Sequence, residues 1–367
     1  MAKYSIGGQA LIEGVMMRGP KKVAIAVRNA SGTLVTEEWD NEVSKKPKVF
    51  KIPFIRGIFN FIDSMKIGYK TLMRSADIAM MYDEGDENNP DYKKQESNNS
   101  EANNLEANNS DVIEENKDSS VEQKSETNIA QENDVKKEHQ EESKADEKEE
   151  SSIIMNIIMT ISSLLGVALS VALFIWLPTF LFNILKGIIP AINTRMCQSV
   201  FEGIVKIIIF IVYVALCSMM EDMRRVFMYH GAEHKTIFCY ENGLELTVDN
   251  VKKQTRFHPR CGTSFLALML IVGIAVGLFI PHNIPTLLRA GIKILCVPII
   301  MGIGYEAIKL AGRKNNLFVR IISAPGLWIQ RITTKEPTDD MIECAITSFV
   351  AVLPKDEEST SERSEVE

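Results

Sequence analysis

Four stretches of the chain are apolar almost without interruption: Ile153–Leu185, Ser199–Met220, Ser264–Ile280 and Ala290–Leu310. Each is near the ~20 residues that a helix needs to cross a ~30 Å hydrocarbon core. Pro178 falls inside the first, which reads as one spanning helix followed by an interfacial turn. The third is short for a span, and its Gly273 and Gly277 suit close packing against a neighbour. Shorter patterns flank these runs. Within residues 4–40, Lys22–Val27 and Thr33–Thr36 flank the turn signal Asn29-Ala-Ser-Gly32, so the segment reads as a small β-rich unit. Residues 50–80 mix Phe54, Ile58, Phe61, Ile62 and Met65 with Arg56, Lys66, Lys70 and Arg74. That mixture suits a helix lying in the membrane interface, with a core helix as the alternative. Leu317–Ile332 reads as a second surface-lying helix, interrupted at Pro325-Gly326. After it, Thr338 or Asp339 can cap a short helix whose Ile342, Ala345 and Ile346 face a core.

Charge changes this picture by dividing the chain. Residues 83–151 hold 23 acidic and 8 basic side chains, a net of −15. They are rich in Glu, Asn, Ser, Lys and Asp and nearly free of aromatics, so they read as a disordered spacer unable to offset chain entropy by burial. The tail from Lys355 adds a further −4. Against a total of −7, the rest of the chain is therefore basic, at +12. The basic residues gather in two places: 221–263 (Arg224, Arg225, Lys235, Lys252, Lys253, Arg256, Arg260) and after the last apolar run (Arg313, Lys314, Arg320, Arg331, Lys335). The other connections hold little beyond Arg195 and Arg289. The positive-inside rule then places both termini and the 221–263 segment in the cytoplasm, as an even number of spans requires. Basic and aromatic residues are not interleaved on a soluble module, which argues against a nucleic-acid partner. The six cysteines show no paired spacing and suggest no disulfide framework. The N-terminus has no continuous apolar run of the signal-peptide kind.

The 221–263 segment also concentrates metal-capable side chains. Three of the five histidines lie there. On a helix, His230 and His234 share one face, with Glu233 beside them. This is an H-x-x-E-H arrangement, in which two imidazoles bind zinc and the Glu acts as general base. A zinc site of this kind needs a third protein ligand, for which His258, Cys261 and Cys239 are candidates. Glu306, in the last apolar run, is another, although an i,i+3 pair with Lys309 explains it equally well. Lys235 or Arg260 can neutralise developing negative charge. The competing reading is a loop whose histidines make only hydrogen bonds or contact lipid phosphates. Gly7–Pro20 carries four glycines and reads as a turn-rich edge of the β unit, or as a stretch whose Glu13 and Arg18 help to line a site.

Four motifs, Gly-Gly-Gln-Ala-Leu-Ile-Glu-Gly-Val-Met-Met-Arg-Gly-Pro (7–20), Tyr-His-Gly-Ala-Glu-His-Lys (229–235), Arg-Phe-His-Pro-Arg-Cys-Gly-Thr-Ser-Phe (256–265) and Glu-Pro-Thr-Asp-Asp-Met-Ile-Glu (336–343), resemble the YqhQ family of bacterial membrane proteins. The resemblance implies a metal-dependent membrane enzyme and strengthens Glu13 and Arg18 as site candidates.

The expected architecture is a mainly α-helical polytopic membrane protein with about four transmembrane helices, a small cytoplasmic β-rich N-terminal segment and interfacial helices. Its expected parts are 1–82 (β-rich segment and amphipathic helix), 83–151 (disordered insert), 152–312 (membrane domain), 313–354 (interfacial and short helices) and 355–367 (disordered tail). The expected setting is the inner membrane, with the lipid bilayer as partner and a homo-oligomer or a second membrane protein as further possibilities. The expected activity is metal-dependent hydrolysis of a lipid-linked or membrane-proximal substrate. His230, His234 and His258 or Cys261 would hold a divalent transition metal such as zinc, with Glu233 as base. The alternatives are a non-catalytic membrane assembly or transport scaffold and, from Glu306, a small-solute carrier.

Overall fold

The computed structural model describes residues 4, 6–41, 52, 55–83, 86, 157, 158, 160–281, 284–311 and 317–354. Apart from Asp83 and Asp86, the acidic stretch 83–151 lies outside the described residues, as does the tail from Lys355. The chain forms two compact units, residues 90–175 and the remainder.

The N-terminal residues form an antiparallel meander: β1 (Gly7–Leu11), β2 (Gly14–Arg18), β3 (Lys22–Arg28) and β4 (Leu34–Asp40), in that spatial order. The β3–β4 hairpin stands where the sequence places it. The glycine-rich stretch before it is itself a hairpin, with Leu11 opposite Gly14 and Ile12-Glu13 at the tip. Glu13 takes the left-handed conformation there (φ 50°), which is uncommon outside glycine.

The middle strands are buried on both faces, so β3 is apolar at every interior position and shows no simple alternation. Side chains still divide by the period of two. Val15, Met17, Ala24 and Ala26 meet one cluster containing Tyr229, Ala232, Met341, Ile342 and Phe349. Met16, Val23, Ile25 and Val27 meet the other, around Ile78. Helix α1 (Ile55–Ala79) supplies that second layer.

α1 is a packed helix. Its C-terminal half covers the sheet, and Arg74 binds Glu37 of β4. Its N-terminal half reaches the apolar helices through Arg56, whose Nε lies 2.7 Å from Glu306 Oε1 and whose Nη2 bonds Oε2. Ile62, Met65, Tyr69 and Met73 leave an apolar stripe exposed along the same helix. The packed face is the core-helix alternative.

The apolar stretches form helices α2 (Leu177–Ile188), α3 (Arg195–Cys217), α6 (Gly262–Gly277) and α7 (Thr286–Ala311). Among the described residues, three helical stretches are long and apolar enough to cross a membrane: Thr160–Ile188, Arg195–Cys217 and Leu287–Ala307. Large apolar side chains on α3 and α7, such as Ile204, Ile208, Leu216, Leu287 and Leu295, are exposed, as lipid-facing surfaces are. α6 is shorter, with 16 residues, or about 24 Å at 1.5 Å per residue.

Pro178 does not break the first span. A π-helical turn over Ala172–Trp176 precedes it and accommodates the missing backbone donor, and the helix runs on to Ile188. Likewise α8 (Leu317–Thr333) continues through Pro325. Gly326 of α8 sits directly on Ser264 of α6, where a Cβ would collide.

Between the apolar helices, α3 stops at Cys217 and a new helix, α4 (Glu221–Glu241), begins after the turn at 218–220. The H-x-x-E-H motif therefore lies on its own helix, not on an extension of a span. α5 (Val248–Lys252) follows, with Thr247 as its side-chain cap. α9 (Asp339–Ala351) starts at Thr338, whose side chain makes no capping bond, and two acids occupy its first turn.

Candidate metal centre

α4 carries His230 and His234 one turn apart, with ring centroids 4.4 Å from each other. Gly231 lies between them because the chain at Lys335 passes over α4 at that point. A Cβ there would overlap the Lys335 carbonyl, and Lys335 N donates to Phe227 O at 2.8 Å. The two imidazoles are oriented alike. His230 Nδ1 lies 2.8 Å from Thr333 O, and His234 Nδ1 lies 2.5 Å from Arg256 O. A carbonyl only accepts, so each Nδ1 carries the proton and each Nε2 presents a lone pair.

Those lone pairs point to one place. His230 Nε2 is 3.1 Å from Cys261 Sγ. His234 Nε2 is buried and has no hydrogen-bond partner. The ligand atoms of His230, His234 and Cys261 all lie within 4.8 Å of one another. Two imidazoles and one thiol, with each imidazole held from behind by a backbone carbonyl, are the donor set and outer shell of a transition-metal site. A buried imidazole nitrogen without a partner is otherwise costly. The residues present therefore fit a metal ion.

Glu233 flanks the cluster, with Oε2 at 3.9 Å from His230 Nε2. Burial pushes its carboxyl up to about 7, opposed by the neighbouring His230 imidazole and by a hydrogen bond from the Gly8 backbone. Gly8 of β1 is pressed against this side chain. A Cβ there would stand 2.7 Å from Glu233 Cγ and 2.8 Å from Met16 O. The glycine-rich motif thus serves the site through a backbone approach.

His258 lies beside the cluster, 5.6 Å from His234 between ring centroids. Both of its nitrogens are engaged: Arg260 N donates to Nδ1 at 3.3 Å, and Nε2 lies 3.4 Å from Glu241 Oε2. Burial lowers its pKa, while Glu241 opposes that shift. His258 therefore braces the 256–261 loop. Gln330 does the same from α8, accepting from His258 N at 2.7 Å and donating to His258 O at 2.8 Å.

A family model described as "Protein of unknown function (DUF1385)" matches residues 52–355. The chain is 30% identical over 359 residues to "Uncharacterized protein YqhQ" of Bacillus subtilis, covering 96% of this chain and 95% of that relative. The chain belongs to the DUF1385 (YqhQ) family. No solved structure matches it.

The remaining candidates are spread over this DUF1385 fold. Cys239 is in the core, with Sγ 3.3 Å from Glu245 O. Lys235 Nζ donates to Lys252 O at 2.9 Å and pairs with Glu336 at 2.7 Å. Arg260 is paired with Glu241. Glu13 binds Arg225 through two contacts of 2.6 and 2.5 Å and accepts from Tyr229 OH at 3.3 Å. That pairing raises the pKa of Arg225. It also anchors the strained hairpin tip to α4 one turn before His230. Arg18 Nη2 donates to Asn41 Oδ1 at 3.2 Å. Glu306 holds Arg56 of α1. Thr333, Arg256 and Gln330, which orient the site through backbone carbonyls or a side-chain amide, carry no sequence signal of that role. Their contribution depends on contacts between distant parts of the chain.

Proposed function

We propose that this DUF1385 protein is a membrane-bound metalloenzyme of the hydrolase type, with His230, His234 and Cys261 as protein ligands to a divalent transition ion such as zinc. The observation that carries this reading is the buried, unpartnered Nε2 of His234, aimed at His230 and Cys261. Three protein ligands with a carboxylate alongside is the pattern of a catalytic site with an open position, whereas a structural zinc site closes with four. An ion held by His230, His234 and Cys261 would supply Lewis-acid chemistry at the scissile bond. Glu233 accepts the proton of the attacking water at its carboxylate and returns it to the leaving group. Gly8 N–H holds that carboxylate in place. Support for a membrane-proximal or lipid-linked substrate comes from Cys261, which stands at the N-cap of the apolar helix α6.

The finer architecture belongs to the same proposal. α6 packs among α3, α7 and α8, which supports counting it as a fourth, short span. The charge distribution supports a cytoplasmic position for the α4 segment.

Elemental analysis of the detergent-purified full chain tests the metal. The wild type should hold about one equivalent of zinc, iron or manganese, and His234→Ala should lose it. A well-folded wild type without metal would overturn the proposal. Glu233→Gln should keep the ion and lose turnover in a hydrolase screen. A second reading rests on the fact that the site joins α4, the start of α6 and the end of α8: there the ion acts as a staple in a non-catalytic scaffold. In that case Glu233→Gln is silent, and His230→Ala or Cys261→Ala lowers the folded yield.

A further inference from the structure

A second polar cluster lies at the other end of α6. Cys261 opens that helix, and its final residue, Gly277, accepts from Ser199 Oγ of α3 at 2.8 Å. The residues next to Ser199 on α3 are therefore about 24 Å from the histidines by helix rise. There Glu202 is only 2% exposed, and its carboxylate is fully engaged. Oε1 accepts from Thr179 Oγ1 of α2 at 3.1 Å and from Gln198 Nε2 at 2.9 Å, while Oε2 accepts from Lys293 of α7.

Arg289 of α7 is 1% exposed. Its Nη1 donates to Gln198 Oε1 at 2.8 Å and to Pro281 O at 3.2 Å. Nε pairs with Glu202 Oε1 at 3.7 Å, beyond hydrogen-bond reach, and Nη2 makes no hydrogen bond. Lys206, one turn beyond Glu202 on α3, shares the same electrostatic neighbourhood. Two cations, Arg289 and Lys293, thus share one carboxylate. Glu202 is also the only acidic residue in 151–220 and in 262–305.

Ion pairing that merely joined the helices would balance its charges, because buried unpaired charge is expensive. Here one carboxylate serves both Arg289 and Lys293, and the Nε–Nη2 edge of Arg289, which makes no hydrogen bond, matches two oxygens of an oxyanion. We propose that Arg289 and Lys293 form a binding site for a phosphate-type oxyanion at the membrane edge remote from the metal centre. The ligand is either the headgroup phosphate of a phospholipid or free inorganic phosphate. The site stands independently of the metal reading, because it shares no residue with it.

The test uses the delipidated full chain in detergent. Phosphatidylglycerol is added back and bound lipid is read by native mass spectrometry; in parallel, inorganic phosphate is titrated against chloride at equal ionic strength and thermal unfolding is followed. The wild type should retain the lipid, be protected by phosphate, or both. Lipid alone identifies the headgroup as the source, and phosphate alone identifies the free anion. Arg289→Gln and Lys293→Met should each weaken the response at least about tenfold, since hydrogen bonds to charged groups carry that much. Arg289→Lys should fall between, keeping the charge but losing the fork. A wild type that responds to neither ligand overturns the proposal, even if every variant misfolds. So does an unchanged response in Arg289→Gln and Lys293→Met that elute as the wild type does on gel filtration.

Discussion

Gly8 has no side chain because Glu233 occupies the space that one would take. Gly8→Ala should therefore force either the carboxylate or strand β1 to move. Overpacking of this kind costs about 1–3 kcal/mol, and thermal unfolding of the purified variant should show a lower midpoint than the wild type. Turnover in the hydrolase screen should fall with it, while Gly7→Ala, where a Cβ meets nothing within 4 Å, should be close to neutral. At this scale the sequence was legible where spacing alone brings groups together. His230 and His234 share a face by the 3.6-residue period, and Glu233 comes with them. The third member of the cluster was not legible. Cys261, His258 and Cys239 differ in what already binds them, and those partners (Arg260 N, Glu241, Glu245 O) are set by loop geometry rather than by residue type. The role of Gly8 was hidden for a related reason: it depends on a strand lying against a helix far away in sequence.

The element that positions the site is α4, held by the chain at 334–338 that crosses it at Gly231. Helix propensity makes Gly231→Ala a gain of about 1 kcal/mol. The overlap of a new Cβ with the Lys335 carbonyl reverses that sign, so the variant should unfold at lower temperature and lose metal. Glu336 fastens the same crossing by pairing with Lys235 at 2.7 Å and with Arg256 at 2.8 Å. Burial raises its carboxyl pKa, but the hydrogen bond and charge of Lys235 and the charge of Arg256 outweigh that and leave it lowered. A carboxylate with a depressed folded-state value stabilises above its unfolded pKa, and that stability is lost as pH falls through the folded value. The unfolding midpoint of the wild type should therefore drop on acidification below about pH 4.5, and Glu336→Gln should flatten that part of the curve. An unchanged acid limb in the variant would mean that the pairing does not hold the crossing. Elements were legible where one pattern governed them, as in the β3–β4 hairpin. They were misread where a proline rule met tertiary packing. The 7–20 stretch, read as a turn-rich edge of the β unit, is its edge hairpin, whereas Pro178 and Pro325 sit inside continuous helices because a π-turn precedes one and α6 packs closely on the other.

At the scale of the whole molecule, hydropathy made the membrane-compatible helices visible, and three of them meet the length that a bilayer requires. The buried charges of α3 and α7 escaped the same reading, because Glu202, Arg289 and Lys293 are scattered singly along the chain and converge only when the helices pack. Orientation rests on charge: the 221–263 segment is crowded with basic residues, and the connection before α3 is not. Positive residues resist translocation, so the proposed arrangement puts the metal centre on the cytoplasmic side and Cys197 on the outer side. Cys197 is exposed, whereas Cys239, Cys261 and Cys344 are buried. A membrane-impermeant maleimide applied to intact cells should label the wild type, and Cys197→Ser should remove most of that label. In the Cys197→Ser background, a cysteine placed at exposed position 253 should react only after the cells are permeabilised. The opposite pattern, with position 253 labelled in intact cells, would invert the molecule and place the His-Cys cluster outside. It would also bring the Arg289 cluster to the cytoplasmic face, where its oxyanion would come from the inner leaflet or the cytosol.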